Sequence, residues 1–141
     1  MAWELNADKP IYAQLVDILR RRIVTGFYPV GGRLPPVREL AAEAAVNPNT
    51  MQKALAELES DGLVFAQRTS GRFITEDQSM IERLRRSMAM EQLQNLLTGM
   101  KELGYSPAET AQMLDQIAAE LPMADLPAAD LAEPTKEETT A

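Results

Sequence analysis

The stretch Val37-Arg38-Glu39-Leu40-Ala41-Ala42-Glu43-Ala44-Ala45-Val46-Asn47-Pro48-Asn49-Thr50-Met51-Gln52-Lys53-Ala54-Leu55-Ala56-Glu57-Leu58 decides the fold. Its first eight residues are rich in Ala, Leu and Glu, the composition of a short helix over 37–44. Asn47-Pro48 then starts a second helix. Asn at the N-cap offers a side-chain oxygen to free backbone N–H groups, and Pro in the first turn lacks only an N–H that has no intrahelical partner. Met51, Leu55 and Leu58 follow at i, i+4 and i+7, so this helix buries one stripe and leaves Asn49, Gln52 and Lys53 on the opposite face. Gly62, after Ser60-Asp61, closes it as a left-handed C-cap. Two short helices joined by a tight turn form a helix-turn-helix pattern. The second helix of such a unit enters the major groove of DNA N-terminus first, where its free N–H groups and positive dipole end favour phosphate oxygens. Amides such as Asn49 and Gln52 can pair bidentately with adenine, and Lys53 can reach guanine or phosphate.

Upstream, Ile11, Leu15, Ile18, Leu19 and Ile23 recur at helical spacing and predict a helix over 10–25, with Pro10 in its first turn. Arg33-Leu34-Pro35-Pro36 is an extended link, because a residue before proline is pushed out of the helical region. Downstream, 63–68 and 72–75 read as two short strands around the turn Thr69-Ser70-Gly71. Arg68 and Arg72 flank that tip, where a hairpin can lie along the DNA backbone or reach the minor groove. Ile81, Leu84, Met88, Leu93, Leu96, Leu97, Met100 and Leu103 mark a long helix over 78–103, ended by Gly104. The step from Met88 to Leu93 interrupts the period, which calls for a kink or a wider apolar face. Ser106-Pro107-Ala108-Glu109 is a capping box opening a last helix that carries Ala111, Leu114, Ile117, Ala118 and Leu121. Residues 122–141 are rich in Pro, Ala and acid and predict a poorly ordered tail. The expected fold is mainly α with a small β wing: a winged helix over 1–76, a two-helix dimerisation segment over 77–121, and the acidic tail.

The chain has 141 residues and neither Cys nor His. Disulfides, Cys or His metal ligands and catalytic triads built on His are therefore excluded; carboxylates alone could still hold magnesium or calcium, but no EF-hand-type spacing occurs, and no cofactor or metal is expected. No apolar run approaches the roughly 20 residues that span a bilayer. Met1-Ala2-Trp3-Glu4 lacks the basic and apolar regions of a signal peptide, so the expectation is a soluble, cytoplasmic protein without enzymatic activity. The net charge of −7 is unevenly placed: residues 1–76 hold nine Lys/Arg and nine Asp/Glu, whereas 77–141 hold five against twelve. A neutral N-terminal half can still present one basic face.

Pro10-Ile11-Tyr12-Ala13-Gln14-Leu15, Gly32-Arg33-Leu34-Pro35-Pro36-Val37-Arg38-Glu39-Leu40-Ala41, Val46-Asn47-Pro48-Asn49-Thr50 and Leu55-Ala56-Glu57-Leu58-Glu59-Ser60-Asp61-Gly62-Leu63 occur in that order. With the wing glycine Gly71, they resemble the winged-helix domain of the GntR family of bacterial transcription regulators over about residues 8–76. The two-helix remainder resembles the YtrA-type subfamily, whose C-terminal helices dimerise. The resemblance implies that Arg38 contacts DNA, that Asn47, Asn49, Thr50 and Gln52 occupy the turn and recognition-helix positions facing it, and that Gly71 lets the wing backbone approach the minor groove. Pro36 departs from the family's usual Ser, which removes a side-chain cap. Ala45 stands where the turn often has Gly, and implies a turn without positive φ.

Arg20-Arg21-Arg22 reads as a solvated helix face rather than a phosphate patch. Arg83, Arg85 and Arg86 read as solvated or at a dimer rim, the methionines as dimer core, and Trp3 and Tyr12 as packing on the first helix. Two helices alone cannot enclose a core, so their apolar stripes predict a homodimer on a roughly palindromic double-stranded operator. The expected function is sequence-specific repression. The alternatives are a regulator responding to a hydrophobic small-molecule effector at the helical dimer interface, or a winged helix used for protein interaction.

Overall fold

The computed structural model describes residues 3–121; the expected tail over 122–141 lies outside the described residues. The elements are α1 (Ile11–Val24), α2 (Val37–Ala44), α3 (Pro48–Ser60), β1 (Val64–Gln67), β2 (Gly71–Ile74), α4 (Gln78–Glu102) and α5 (Pro107–Glu120). Helix α1 buries Leu15, Val16, Leu19 and Ile23 and carries Arg21 and Arg22 in its last turn, where cations complement the carbonyl end. Pro10 takes the N-cap position of α1 rather than a place inside its first turn. Helices α1 and α2 both pack on α3, which closes a core around Leu15, Leu19, Ile23, Leu40, Met51, Leu55 and Leu58. Val64 and Ile74, paired across a single rung, add the inner face of the hairpin to that core, so the sheet is fixed against the helices through the rung at its open end.

The hairpin pairs Val64 with Ile74 and Gln67 with Gly71 in antiparallel register. It has a third edge that the sequence reading treated only as a link. Leu34 N–H donates to the Arg72 carbonyl and Ile74 N–H to the Gly32 carbonyl, both at 2.8 Å, and Arg33 bridges Phe73. Leu34 faces the core and Arg33 is exposed, the alternation of a strand buried on one face.

The chain divides into two compact units at Ser87, inside α4 and eleven residues beyond the boundary expected at 76. The first turns of α4 explain the difference. Asp77 accepts hydrogen bonds from Met80 N–H (3.1 Å) and the Ser79 hydroxyl (2.9 Å), which starts the helix. Ile81 is then buried in the winged-helix core, and Met80 and Leu84 pack against it. Ile81, expected at a dimer interface, thus belongs to the first unit's own core, and Leu84, expected there too, packs against that core. Beyond Ser87, α4 continues unbroken past the irregular apolar step, ending one residue short of expectation. The expected capping box opens α5: Ser106 Oγ accepts from Glu109 N–H, and Glu109 accepts from Ser106 N–H.

The turn between α2 and α3 corrects one expectation. Ala45 lies in the left-handed region, at φ 60° and ψ 46°. Val46 N–H donates to Ala41 O (3.0 Å) and Ala45 N–H to Ala42 O (3.2 Å), the paired bonds of a Schellman ending. Helix α3 ends the same way, with Leu63 N–H on Leu58 O and Gly62 N–H on Glu59 O, and there the left-handed residue is Gly62, at φ 82°. The backbone hydrogen bonds require positive φ in both turns, and in the first an alanine methyl bears the steric cost. Replacing Ala45 by Gly removes a left-handed penalty of about 1–2 kcal/mol and returns part of it as unfolded-chain entropy. Ala45→Gly is therefore expected to raise stability by about 0.5–1 kcal/mol in urea denaturation. An unchanged or lower midpoint would contradict this account of the turn.

Candidate nucleic-acid interface

Recognition-type residues are placed here by what α3 hides. Met51, Ala54, Leu55 and Leu58 are fully buried, which leaves Asn49, Gln52 and Lys53 exposed and Thr50 half-buried. Asn47 is exposed, but its side-chain oxygen accepts from Asn49 N–H at 2.7 Å. Its amide therefore has a capping role that holds the turn. Arg38 is exposed in the first turn of α2.

Lys53 is held from the α1 side. Its Nζ lies 4.5 Å from the centre of the Tyr12 ring, within cation–π range. The Tyr12 hydroxyl donates to Glu57, a bond that raises its pKa above the ordinary value. Glu57 in turn pairs with Arg20, which also binds Asp61 at 2.5 Å. Tyr12, expected to pack on the first helix, is itself part of α1 and links it to α3, a contact that spacing alone did not indicate.

The arginine run of α1 is not a solvated face. Arg20 and Arg22 are half-buried, and only Arg21 is exposed, paired with Asp17 at 3.0 Å. Arg22 donates to Glu43 on α2 (3.0 Å) and to the Tyr28 hydroxyl (2.8 Å). Its guanidinium lies 4.6 Å from the ring centres of both Trp3 and Phe27. Trp3 is buried and its indole N–H donates to Glu43 at 2.9 Å. That bond, reinforced by Arg22, holds the Glu43 carboxyl below the usual carboxylate range. The cluster ties α1, α2 and the N-terminal segment together.

At the wing, Arg68 and Gly71 are exposed. Arg72 is half-buried and donates through Nε to Glu59 of α3 at 2.5 Å. Among the described residues of the winged helix, Arg20, Arg21, Arg22 and Arg72 form ion pairs, whereas Lys9, Arg33, Arg38, Lys53 and Arg68 form none. Four of these five unpaired cations, all but Lys9, lie at the start of α2, on α3 or on the wing. Internal pairing therefore leaves positive charge concentrated on the helix-turn-helix and wing. Arg33 is the member that sequence reasoning missed; the signal was the polar-apolar alternation of Arg33-Leu34. Among the described residues no group of three or more Asp and Glu is placed to hold a metal ion, and no helix is long and apolar enough to cross a membrane.

Residues 11–74 match the profile of the bacterial regulatory proteins of the gntR family. The chain is 37% identical over 106 residues to the uncharacterized HTH-type transcriptional regulator YhcF of Bacillus subtilis, covering 75% of this chain and 88% of that one. It belongs to the GntR family. Similarity to the HTH-type transcriptional repressor YtrA of the same organism is 31% over 117 residues, 82% of this chain and 90% of the relative. Among solved structures, a GntR family transcriptional regulator from Listeria monocytogenes superposes with a TM-score of 0.75 at 37% identity, over 79% of this chain and 98% of that one. A transcriptional regulator from Oenococcus oeni gives 0.66 at 26% identity, over 84% and 97%. This GntR protein is a DNA-binding transcription regulator with a winged-helix fold, and these relatives extend the likeness past the winged helix into α4 and α5.

The Arg72–Glu59 pair offers a direct check on how this GntR chain distributes charge. Glu59→Gln keeps an acceptor for Arg72 but removes the compensating charge. It is expected to tighten binding to random duplex DNA and to steepen the salt dependence by about one unit. A salt titration by fluorescence anisotropy measures both; an unchanged slope would mean that Arg72 does not reach phosphate even when its partner is neutral.

Proposed function

We propose that the protein is a homodimeric repressor that binds a roughly palindromic operator in the cytoplasm and has no enzymatic activity. The observation that carries the dimer is that the described residues of the second unit close no core of their own. Leu93, Leu96, Leu97, Leu103, Leu114, Ile117 and Leu121 are all exposed, and Met88 and Met100 are half-buried. Contiguous apolar surface of this kind is covered in a stable soluble protein, and a second copy offers the same stripe under two-fold symmetry. Two recognition helices then face half-sites about 34 Å apart, one helical turn of DNA. The named repressor role of the Bacillus subtilis relative YtrA favours repression.

In this reading Arg38, Asn49, Thr50 and Gln52 face the major groove. Lys53 and Arg68 hold phosphate, and Gly71 lets the hairpin approach the flanking groove. Asn47 supports the contact as a cap, and Arg72 reaches DNA only alongside Glu59. Arg38→Ala is expected to weaken operator binding by about 1–3 kcal/mol. Because Arg38 is exposed, its removal should leave the thermal midpoint almost unchanged. Equal affinity of the variant and the wild type would remove Arg38 from the site.

The dimer is tested by truncation. A fragment ending at Ser87 retains Ile81 and Leu84 and is expected to be folded and monomeric, whereas a fragment ending at Leu121 is expected to be dimeric. Loss of linked half-site binding should cost the shorter fragment at least about 10²-fold in operator affinity. Sedimentation equilibrium decides the assembly: a dimeric short fragment or a monomeric longer one would place the interface elsewhere.

A further inference from the structure

The third edge of the wing places an arginine at the hairpin tip. Arg33 is anchored by its neighbours: the Leu34 and Ile74 backbone bonds hold the strand on β2, and Arg33 itself bridges Phe73. Bridged residues share a face of a sheet, as do residues two apart, so Arg33, Phe73 and Gly71 project the same way. A Cβ added to Gly71 would lie 3.0 Å from Arg33 Nε and 3.3 Å from Nη2. The guanidinium therefore lies across the bare backbone of Gly71, which also has φ +104°. Glycine at this position serves two ends, the turn and the seat of Arg33. Arg33 is exposed and among the described residues forms no ion pair, whereas Arg72, beside it in the sheet but on the opposite face, is engaged by Glu59.

We propose that Arg33 is a specificity-determining DNA contact, its guanidinium carried on Gly71 into the minor groove flanking each half-site, where it favours A·T base pairs. This rests on the operator-binding reading above. With α3 in the major groove, an element projecting beside it meets the adjoining backbone and the next minor groove, as the arms of other helix-turn-helix proteins do. A·T-rich minor grooves are narrow and strongly negative, which attracts inserted arginine. Guanine adds an N2 amino group to the groove floor and opposes a cation there. Arginine suits the role better than lysine because its guanidinium is more weakly hydrated and sheds water at lower cost. The site needs no movement of the fold, since the strand and Gly71 already hold the side chain at the tip.

The test uses the full chain and a duplex selected from a random pool by the wild-type protein. The base pairs flanking each half-site are set to A·T, I·C or G·C; inosine keeps the G·C-like major-groove edge but lacks the minor-groove amino group. Wild type is expected to bind the A·T and I·C duplexes alike and the G·C duplex roughly tenfold more weakly. Arg33→Ala is expected to bind all three alike, near the wild-type level on G·C. Arg33→Lys keeps the charge and loses the preference. If Arg33→Ala retains the wild-type preference, the assignment is overturned. It is also overturned if Arg33→Ala weakens all three duplexes equally while wild type is indifferent to the flank, because that marks a phosphate contact. Arg38→Ala, measured beside it, separates the two readings. If Arg38→Ala weakens binding while the Arg33 variants do not, operator binding stands and the Arg33 assignment fails; if wild type enriches no duplex at all, the operator reading itself fails.

Discussion

The closed face of α3 is the constraint on which the rest of the molecule depends. Four residues, Met51, Ala54, Leu55 and Leu58, are completely excluded from solvent. They lie on one stripe because 3.6 residues per turn bring i, i+3, i+4 and i+7 together. Once that stripe is fixed between α1 and α2, the opposite face and the N-terminal turn of α3 can only point outward. Everything at the candidate interface follows from this. Asn47 caps the helix start by accepting from Asn49 N–H, the Ala45 turn must reverse the chain within a few residues, and the exposed face presents amides and a lysine. The core of this unit and the orientation of its reading surface are therefore one structural fact.

Charge is arranged by the same logic. Residues 1–76 carry equal numbers of acidic and basic side chains, and a neutral domain with randomly mixed charges would have little attraction for a polyanion. Instead the acids of α2 and α3, Glu43, Glu57, Glu59 and Asp61, engage arginines on α1 and β2. Such half-exposed pairs contribute modestly to stability, since solvent screens them. Their larger consequence is spatial: they remove positive charge from α1 and leave it on the start of α2, on α3 and on the wing. Burial of Arg22 among Trp3, Phe27, Tyr28 and Glu43 is the extreme case, a cation converted into a packing element.

Local rules were enough to read most elements. The Asn47-Pro48 start, the Gly62 ending and the Ser106 capping box each depend on backbone groups within a few residues, and so the boundaries of α2, α3 and α5 were legible. What was not legible depends on residues far apart in sequence. The strand at Arg33 exists only because β2, about forty residues later, accepts it. The fates of Arg20, Arg22 and Arg72 were set by acids on other elements, and a run of three arginines carries no trace of those partners. Ala45 failed for a different reason: residue identity argued against positive φ, but the Schellman hydrogen bonds outweighed an alanine's preference. Ile81 and Leu84 were read as part of one long stripe, although the first turns of α4 lie in a different packing environment from the rest.

That last division bears on how the two units cooperate. The first unit closes its own core. The second exposes leucines along α4 and α5, which a second copy would cover. Under the proposed dimer, assembly is therefore concentration-dependent while the reading surface is not. The affinity of one winged helix for a half-site is then set by a few side chains, and the affinity for a full operator is set by how firmly two copies are joined. Under the same reading, substitutions on the α4 and α5 leucines would change occupancy without touching specificity, whereas substitutions at Arg33 or Gln52 would change which duplex is preferred as well as how tightly it is held. The boundary at Ser87 lies within α4 itself.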